Sequence, residues 1–163
     1  MKHEKKETDL IWKKKLLFSG VFVQENRLHA IMDRYLKEMT CKQWLVMVVA
    51  DAYENPPDLS TLAKMLGCSR QNIKKLALSL ERSGYAELVS SDKDGRSLCV
   101  RISEKGKQII ANSKKMEESV HKALFRDFTD QDIEDYDRLS EKMMNGFGYL
   151  EETFYELAER GEM

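Results

Sequence analysis

Arg70, Gln71, Asn72, Lys74 and Lys75 fall within a single short stretch of the chain. A second polar group, Lys93, Asp94 and Arg96, follows further on. These side chains suit recognition rather than bond-making. A guanidinium offers a fork of donors, a carboxamide donates and accepts, and an ammonium is a point charge. No nucleophile with its base, and no close set of metal ligands, accompanies them. No pair among the histidines His3, His29 and His121 has the i, i+4 or close carboxylate spacing of a metal site, so no zinc site is expected. What the polar residues can do depends on the elements that carry them.

The stretch "LSTLAKMLGCSRQNIKKLALSLERSGY" reads as two helices and a turn. Asp58 caps the first, Leu59 to Leu66, with Leu59, Leu62, Ala63 and Leu66 on its inner face. Gly67 stops it, as a glycine in the left-handed region does. Ser69 caps the second, Arg70 to Arg82. Its inner face is Ile73, Leu76, Ala77 and Leu80, at i, i+3, i+4 and i+7. Gly84 ends it. The period then changes from helical to alternating. Tyr85–Val89 and Leu98–Ile102 read as strands, joined by a polar stretch ending in Asp94-Gly95, a hairpin signal. Two helices, a tight turn and a hairpin make a winged helix-turn-helix.

Long helices flank this lobe. Residues 9–38 carry apolar side chains near helical spacing, from Leu10 to Leu36, with Gly20 as a place to bend. Thr40 with Gln43 makes a capping box for a helix to about Tyr53, ended by Asn55-Pro56-Pro57. Ser103 opens a helix to about Phe125, and Thr129 with Asp132 opens one to about Glu159. In that last helix Ile133, Tyr136, Leu139, Met143, Phe147, Leu150, Phe154 and Leu157 step by three or four. Gly146 and Gly148 within it signal either a kink or the close approach of a partner backbone. Neither terminal helix is needed to complete a winged helix. Packing both against a second copy would bury them, so a symmetric dimer is expected.

The 163 residues include 27 Lys/Arg and 28 Asp/Glu, a formal net charge of −1. That near-neutral total hides a gradient. Residues 58–106 carry nine basic and six acidic residues, a balance of +3, and residues 116–163 carry five and fourteen, a balance of −9. A basic middle beside an acidic tail suits a local anion-binding face; a solvated helix face accounts for the acidic tail equally well. The run Leu16–Val23 is too short for a bilayer, which takes about 20 residues, and acids among Lys2, Lys5 and Lys6 do not fit a leader. Cys41, Cys68 and Cys99 are odd in number and widely spaced, which does not fit a disulfide framework. A cytoplasmic protein with no membrane partner is expected.

The pieces "LSTLAKMLGCSRQNI", "LSLERSGY", "DKDGRS" and "RISEKG" resemble, in order, the winged helix-turn-helix of MarR-type transcriptional regulators. "TCKQWLVM" resembles the family's lead-in, LTxxQW, and the resemblance covers nearly the whole chain. Asp94-x-Arg96 is its most specific element; Gly95 departs from it, since the family often has a second Arg there. The resemblance implies a mainly α fold, with a dimerisation helix over 1–38, a DNA-binding lobe over 39–106 and dimerisation helices over 107–163. It implies a homodimer on palindromic double-stranded DNA, often released by a small ligand or by oxidation. It also implies that Asp94 pairs with an arginine and fixes the wing.

On these grounds the helix from Ser69 is expected in a major groove. Arg70 would read guanine, Gln71 and Asn72 adenine, and Lys74 and Lys75 would sit on phosphates; Asn72 could equally help cap the helix. Lys93 would touch the DNA backbone, and Arg96 would enter a narrow A·T minor groove. A solvated polar face and a plain turn are the alternatives. For the effector, the family implies an aromatic pocket. Tyr35, Trp44, Phe125 and Phe128 are its candidates, although core packing accounts for each equally well. Cys41 opens a helix, where the dipole lowers a thiol's pKa, so a redox-responsive regulator is an alternative; a small buried hydrophobe is the commoner state. An enzyme is not expected, since the sequence has no P-loop, GxGxxG, HExxH or GxSxG, and no cofactor is implied. A winged helix used for protein contacts is the remaining alternative, one that calls for acids or apolar residues where Arg70, Lys74 and Lys75 stand.

Overall fold

The computed structural model describes residues 2–91 and 95–162. Its elements run α1 (Lys2–Tyr35), α2 (Cys41–Asp51), α3 (Leu59–Met65), α4 (Arg70–Arg82), β1 (Ala86–Ser90), β2 (Leu98–Ile102), α5 (Glu104–Leu124) and α6 (Asp130–Glu159). The chain divides into two compact units, Met1–Ser113 and Lys114–Met163. The first holds α1 to α4, the hairpin and the start of α5. The second holds the rest of α5 and α6.

The helix ends follow from local chemistry. Thr40 and Gln43 form the capping box of α2, and Thr129 and Asp132 that of α6. Asp58 Oδ1 accepts from the N–H groups of Ser60 and Thr61, both at 2.8 Å. At the other end of α3, Cys68 N donates to Ala63 O and Gly67 N to Lys64 O. The same pair closes α4, from Tyr85 N to Leu80 O and from Gly84 N to Glu81 O. That arrangement needs a residue at positive φ, and Gly67 (+60°) and Gly84 (+75°) supply it. Because the Tyr85 N–H is committed to helix closure, β1 starts one residue later than the alternation predicts. α1 also ends earlier than expected, at Tyr35, after which the chain turns toward α2.

The first unit has one apolar core. Val46, Met47 and Ala50 of α2, Leu59 and Leu62 of α3, Ile73, Ala77 and Leu80 of α4, and Val100 and Ile102 of β2 meet there. In α3 and α4 the inner faces read from the 3.6-residue period point into this core, Leu66 and Leu76 half-buried and the others buried. β1 and β2 pair antiparallel from Ala86↔Ile102 to Ser90↔Leu98. Beyond the sequence reading, the segment before α3 joins this hairpin through an Asp58↔Cys99 bridge and Val100 N to Pro57 O at 2.9 Å. Gly106 brings α5 onto the hairpin's root, where a Cβ would lie 2.3 Å from Tyr85 O, so no larger residue fits without backbone movement.

The long helices contrast with this lobe. In α1, Met32 is the buried side chain among those described, while Trp12, Leu17, Phe18 and Phe22 are more than half exposed. In the second unit α6 has no buried residue. Its stepped apolar row, Ile133, Tyr136, Leu139, Met143, Phe147, Leu150 and Phe154, is exposed. The helix runs unbroken through Gly146 and Gly148, and a Cβ at either would meet nothing in this chain.

Candidate nucleic-acid interface

α3, the Gly67-Cys68-Ser69 turn and α4 form the helix-turn-helix. Ser69 Oγ accepts from Asn72 N at 3.2 Å, leaving the other N–H groups of the first turn of α4 directed outward, which favours anions. Ser69, Arg70, Gln71, Asn72, Lys74 and Lys75 are all exposed, while Ile73 between them is fully buried. One side of the helix is thus anchored in the core and the other presents the polar set. Among the described residues, none of Arg70, Lys74 or Lys75 forms an ion pair with a carboxylate of the chain. At 13 residues and 1.5 Å per residue, α4 is about 20 Å long, and a major groove about 12 Å wide admits such a helix.

The hairpin carries the second group. Arg96 is exposed on the turn between β1 and β2. Lys93 and Asp94 lie outside the described residues. Gly95 stands at φ +63° with its N–H on Ser91 O at 2.9 Å. A second arginine at that position would be strained in this turn, which gives the departure from the family pattern a backbone reason.

The other half of α4 is held by polar contacts that sequence periodicity does not reveal. Gln43 Nε2 donates to Ser79 Oγ at 2.8 Å. Glu81 Oε1 accepts from Leu88 N at 2.9 Å. Lys105 Nζ donates to Ser83 O at 2.9 Å and lies 4.4 Å from the centre of the Tyr85 ring. The Tyr85 hydroxyl donates to Glu38 Oε2 at 2.6 Å. That hydrogen bond first, then burial and the Glu38 charge, pushes the Tyr85 pKa up.

The sensor candidates fall in different places. Cys41 is buried at the first position of α2, and its N–H donates to Asp33 Oδ1. Burial, then the Asp33 charge, pushes its thiol pKa up, against a smaller opposing pull from Lys42. The dipole argument predicts the opposite direction, and burial overrides it; the geometry is that of a packed thiol rather than a reactive thiolate. Tyr35 is exposed at the end of α1. Trp44 is half-buried, and its indole N–H has no hydrogen-bond partner among the described residues. In the second unit Phe125 and Phe128 meet edge-on with centroids 5.4 Å apart, and Phe128 meets Tyr136 at 6.2 Å.

Comparison with known proteins accords with this geometry. No protein-family model matches the chain. The transcriptional activatory protein BadR of Rhodopseudomonas palustris is 29% identical over 97 residues, which are 57% of this chain and 55% of that protein. The chain therefore aligns with about half the length of that relative. A MarR/EmrR family transcriptional regulator from Acinetobacter sp. superposes with TM-score 0.76 over 83% of this chain and 97% of its own, at 14% identity. MepR of S. aureus, solved in complex with DNA, superposes with TM-score 0.72 over 80% of this chain and 97% of its own, at 16% identity. The chain has the MarR-type winged-helix fold, mainly helical with a two-stranded wing.

Proposed function

We propose that the protein is a sequence-specific, DNA-binding transcriptional regulator, a repressor that acts in the cytoplasm as a homodimer on an inverted repeat. The observation that carries the reading is the exposed end of α4. Arg70, Lys74 and Lys75 form no ion pair among the described residues, beside Gln71 and Asn72, on a helix whose opposite face is locked into the core. Arg70 and Gln71 read base edges, and Lys74 and Lys75 neutralise phosphates. The wing, with Lys93, Asp94 and Arg96, lies on the flank, where Arg96 responds to minor-groove width.

The dimer reading is supported by α1 and α6, whose apolar rows are exposed in the single chain. Residues 1–38 and 107–163 serve that association and 39–106 serve DNA. A small aromatic effector acts as the release signal in this reading. The redox alternative is weakened by the raised Cys41 pKa.

Selection from a randomised duplex library, followed by titration of the winning duplex at several salt concentrations, tests the reading. An inverted repeat with half-sites about 10 bp apart and steep salt dependence is the expected result. Recovery of no enriched sequence, with salt-insensitive binding, would refute it.

A further inference from the structure

The N-terminal half of α4 presents Arg70, Gln71, Asn72, Lys74 and Lys75 to solvent around the buried Ile73, and the C-terminal half is gripped from several sides. Two of those grips, at Ser79 and at Tyr85, come from one short segment, residues 38–43, between α1 and α2. Gln43 is bifunctional: its Oε1 accepts from Thr40 N at 2.8 Å within the α2 cap, and its Nε2 reaches Ser79 of α4 at 2.8 Å. Glu38 takes the hydroxyl of Tyr85, the residue just past the glycine that closes α4, at 2.6 Å. Asp33 of α1 in turn holds the Cys41 N–H at the start of α2. The core contacts of α4 through Ile73, Ala77 and Leu80 are apolar and non-directional, so they fix its depth better than its tilt. Hydrogen bonds are directional and select an angle.

We infer that Gln43 and Glu38 are positioning residues that set the tilt of α4 by holding its C-terminal half, and so fix where its exposed end meets DNA. The inference rests on the reading of α4 as the DNA-reading helix. Its lever arm is plain. The two holds lie at and beyond the last turn of a helix about 20 Å long, so a small rotation there displaces Arg70 by much more. In a dimer this displacement changes the distance between the two reading ends. Half-site spacing is therefore the quantity the holds control, beyond any contribution to stability.

Ser79→Ala removes the partner of Gln43 while keeping the α2 capping box. Tyr85→Phe removes the hydroxyl while keeping the ring beneath Lys105. Glu38→Gln keeps an acceptor for that hydroxyl and serves as the conservative control. The full chain and these variants, with the Ser79→Ala/Tyr85→Phe double variant, are titrated against duplexes carrying the selected half-sites at the preferred spacing and at one base pair shorter and longer. Wild type and Glu38→Gln should discriminate against the altered spacings alike. The double variant should lose discrimination by about fivefold or more, each net hydrogen bond being worth roughly that factor, with its helical content unchanged. Wild-type discrimination in the double variant would overturn the inference. If wild type selects no duplex, the DNA reading fails, and amide exchange of peptide 70–82 decides the holds instead. Faster exchange in the double variant than in Glu38→Gln would support them, and equal exchange would overturn them.

Discussion

The winged lobe and α6 use similar apolar residues in similar helical periods and meet opposite fates. In the lobe, Leu62, Ile73, Leu80 and Val100 are at most 1% exposed. In α6 no residue is buried, and Phe147 and Phe154 are 43% and 49% exposed. Burial of such side chains is worth roughly 1.5–3 kcal/mol each relative to exposure. The lobe realises that gain within one chain, and α6 leaves it unrealised. The difference separates two kinds of surface: the lobe buries its apolar residues within one chain, and α6 leaves its apolar row exposed in the single chain.

Breaking the lobe should have the largest effect on stability. Leu80→Ala removes a fully buried side chain and should cost about 2–5 kcal/mol, seen as a clear fall in melting temperature. The same truncation on α6, Leu139→Ala, should cost far less in the isolated chain and act on association instead. An acidic pair, Leu139→Asp with Phe147→Asp, should halve the mass measured by light scattering at micromolar concentration while leaving helical content intact. A dimer that survives both charges would remove α6 from the interface.

The comparison sharpens within α4 itself. Arg70→Ala should lose about 1–3 kcal/mol of discrimination at one base position per half-site, and Lys75→Ala should weaken all sequences alike. Neither should move the melting temperature as Leu80→Ala does, and parallel binding and stability losses would erase the distinction between the two faces. Smaller still is the cap of α6. Thr129→Ala removes the N-cap and should cost about 0.5–2 kcal/mol. Asp132, held below the usual carboxylate range first by the Thr129 hydroxyl and then by its N–H, favours the folded cap above its unfolded pKa and ceases to do so as pH falls through the lower folded value. An acid titration of helical content should therefore run flatter in Thr129→Ala. Last, Cys41 should react with a thiol reagent more slowly than a free thiol near neutral pH, since its pKa is raised; rapid modification in the folded protein would revive the redox reading.

Much of this organisation is legible in the sequence because its causes are local. Thr40, Asp58, Ser69 and Thr129 cap the helices they precede, and Gly67 and Gly84 close them, because caps and closures act within a few residues. Periodicity likewise marks Ile73, Ala77 and Leu80 as the inner face of α4 and the polar residues from Arg70 as the outer one. What escapes is long-range and polar. Gln43 with Ser79 and Glu38 with Tyr85 lie 36 and 47 residues apart, and no period links them. The near contact at Gly106 depends on where α5 lands, and the raised Cys41 pKa depends on burial outweighing a dipole whose direction the sequence does suggest.

The central claim, that the exposed end of α4 reads DNA, is tested most directly by the salt dependence of binding to the selected inverted repeat. Wild type and Lys75→Ala are compared across a range of salt concentrations. The logarithm of affinity should fall linearly with the logarithm of salt, at about 0.9 per phosphate neutralised. Lys75→Ala should make that slope shallower by about 1 for each Lys75 engaged, two in a homodimer. A slope identical to that of wild type, with wild-type affinity, would place the phosphate contacts elsewhere and contradict the assignment of α4.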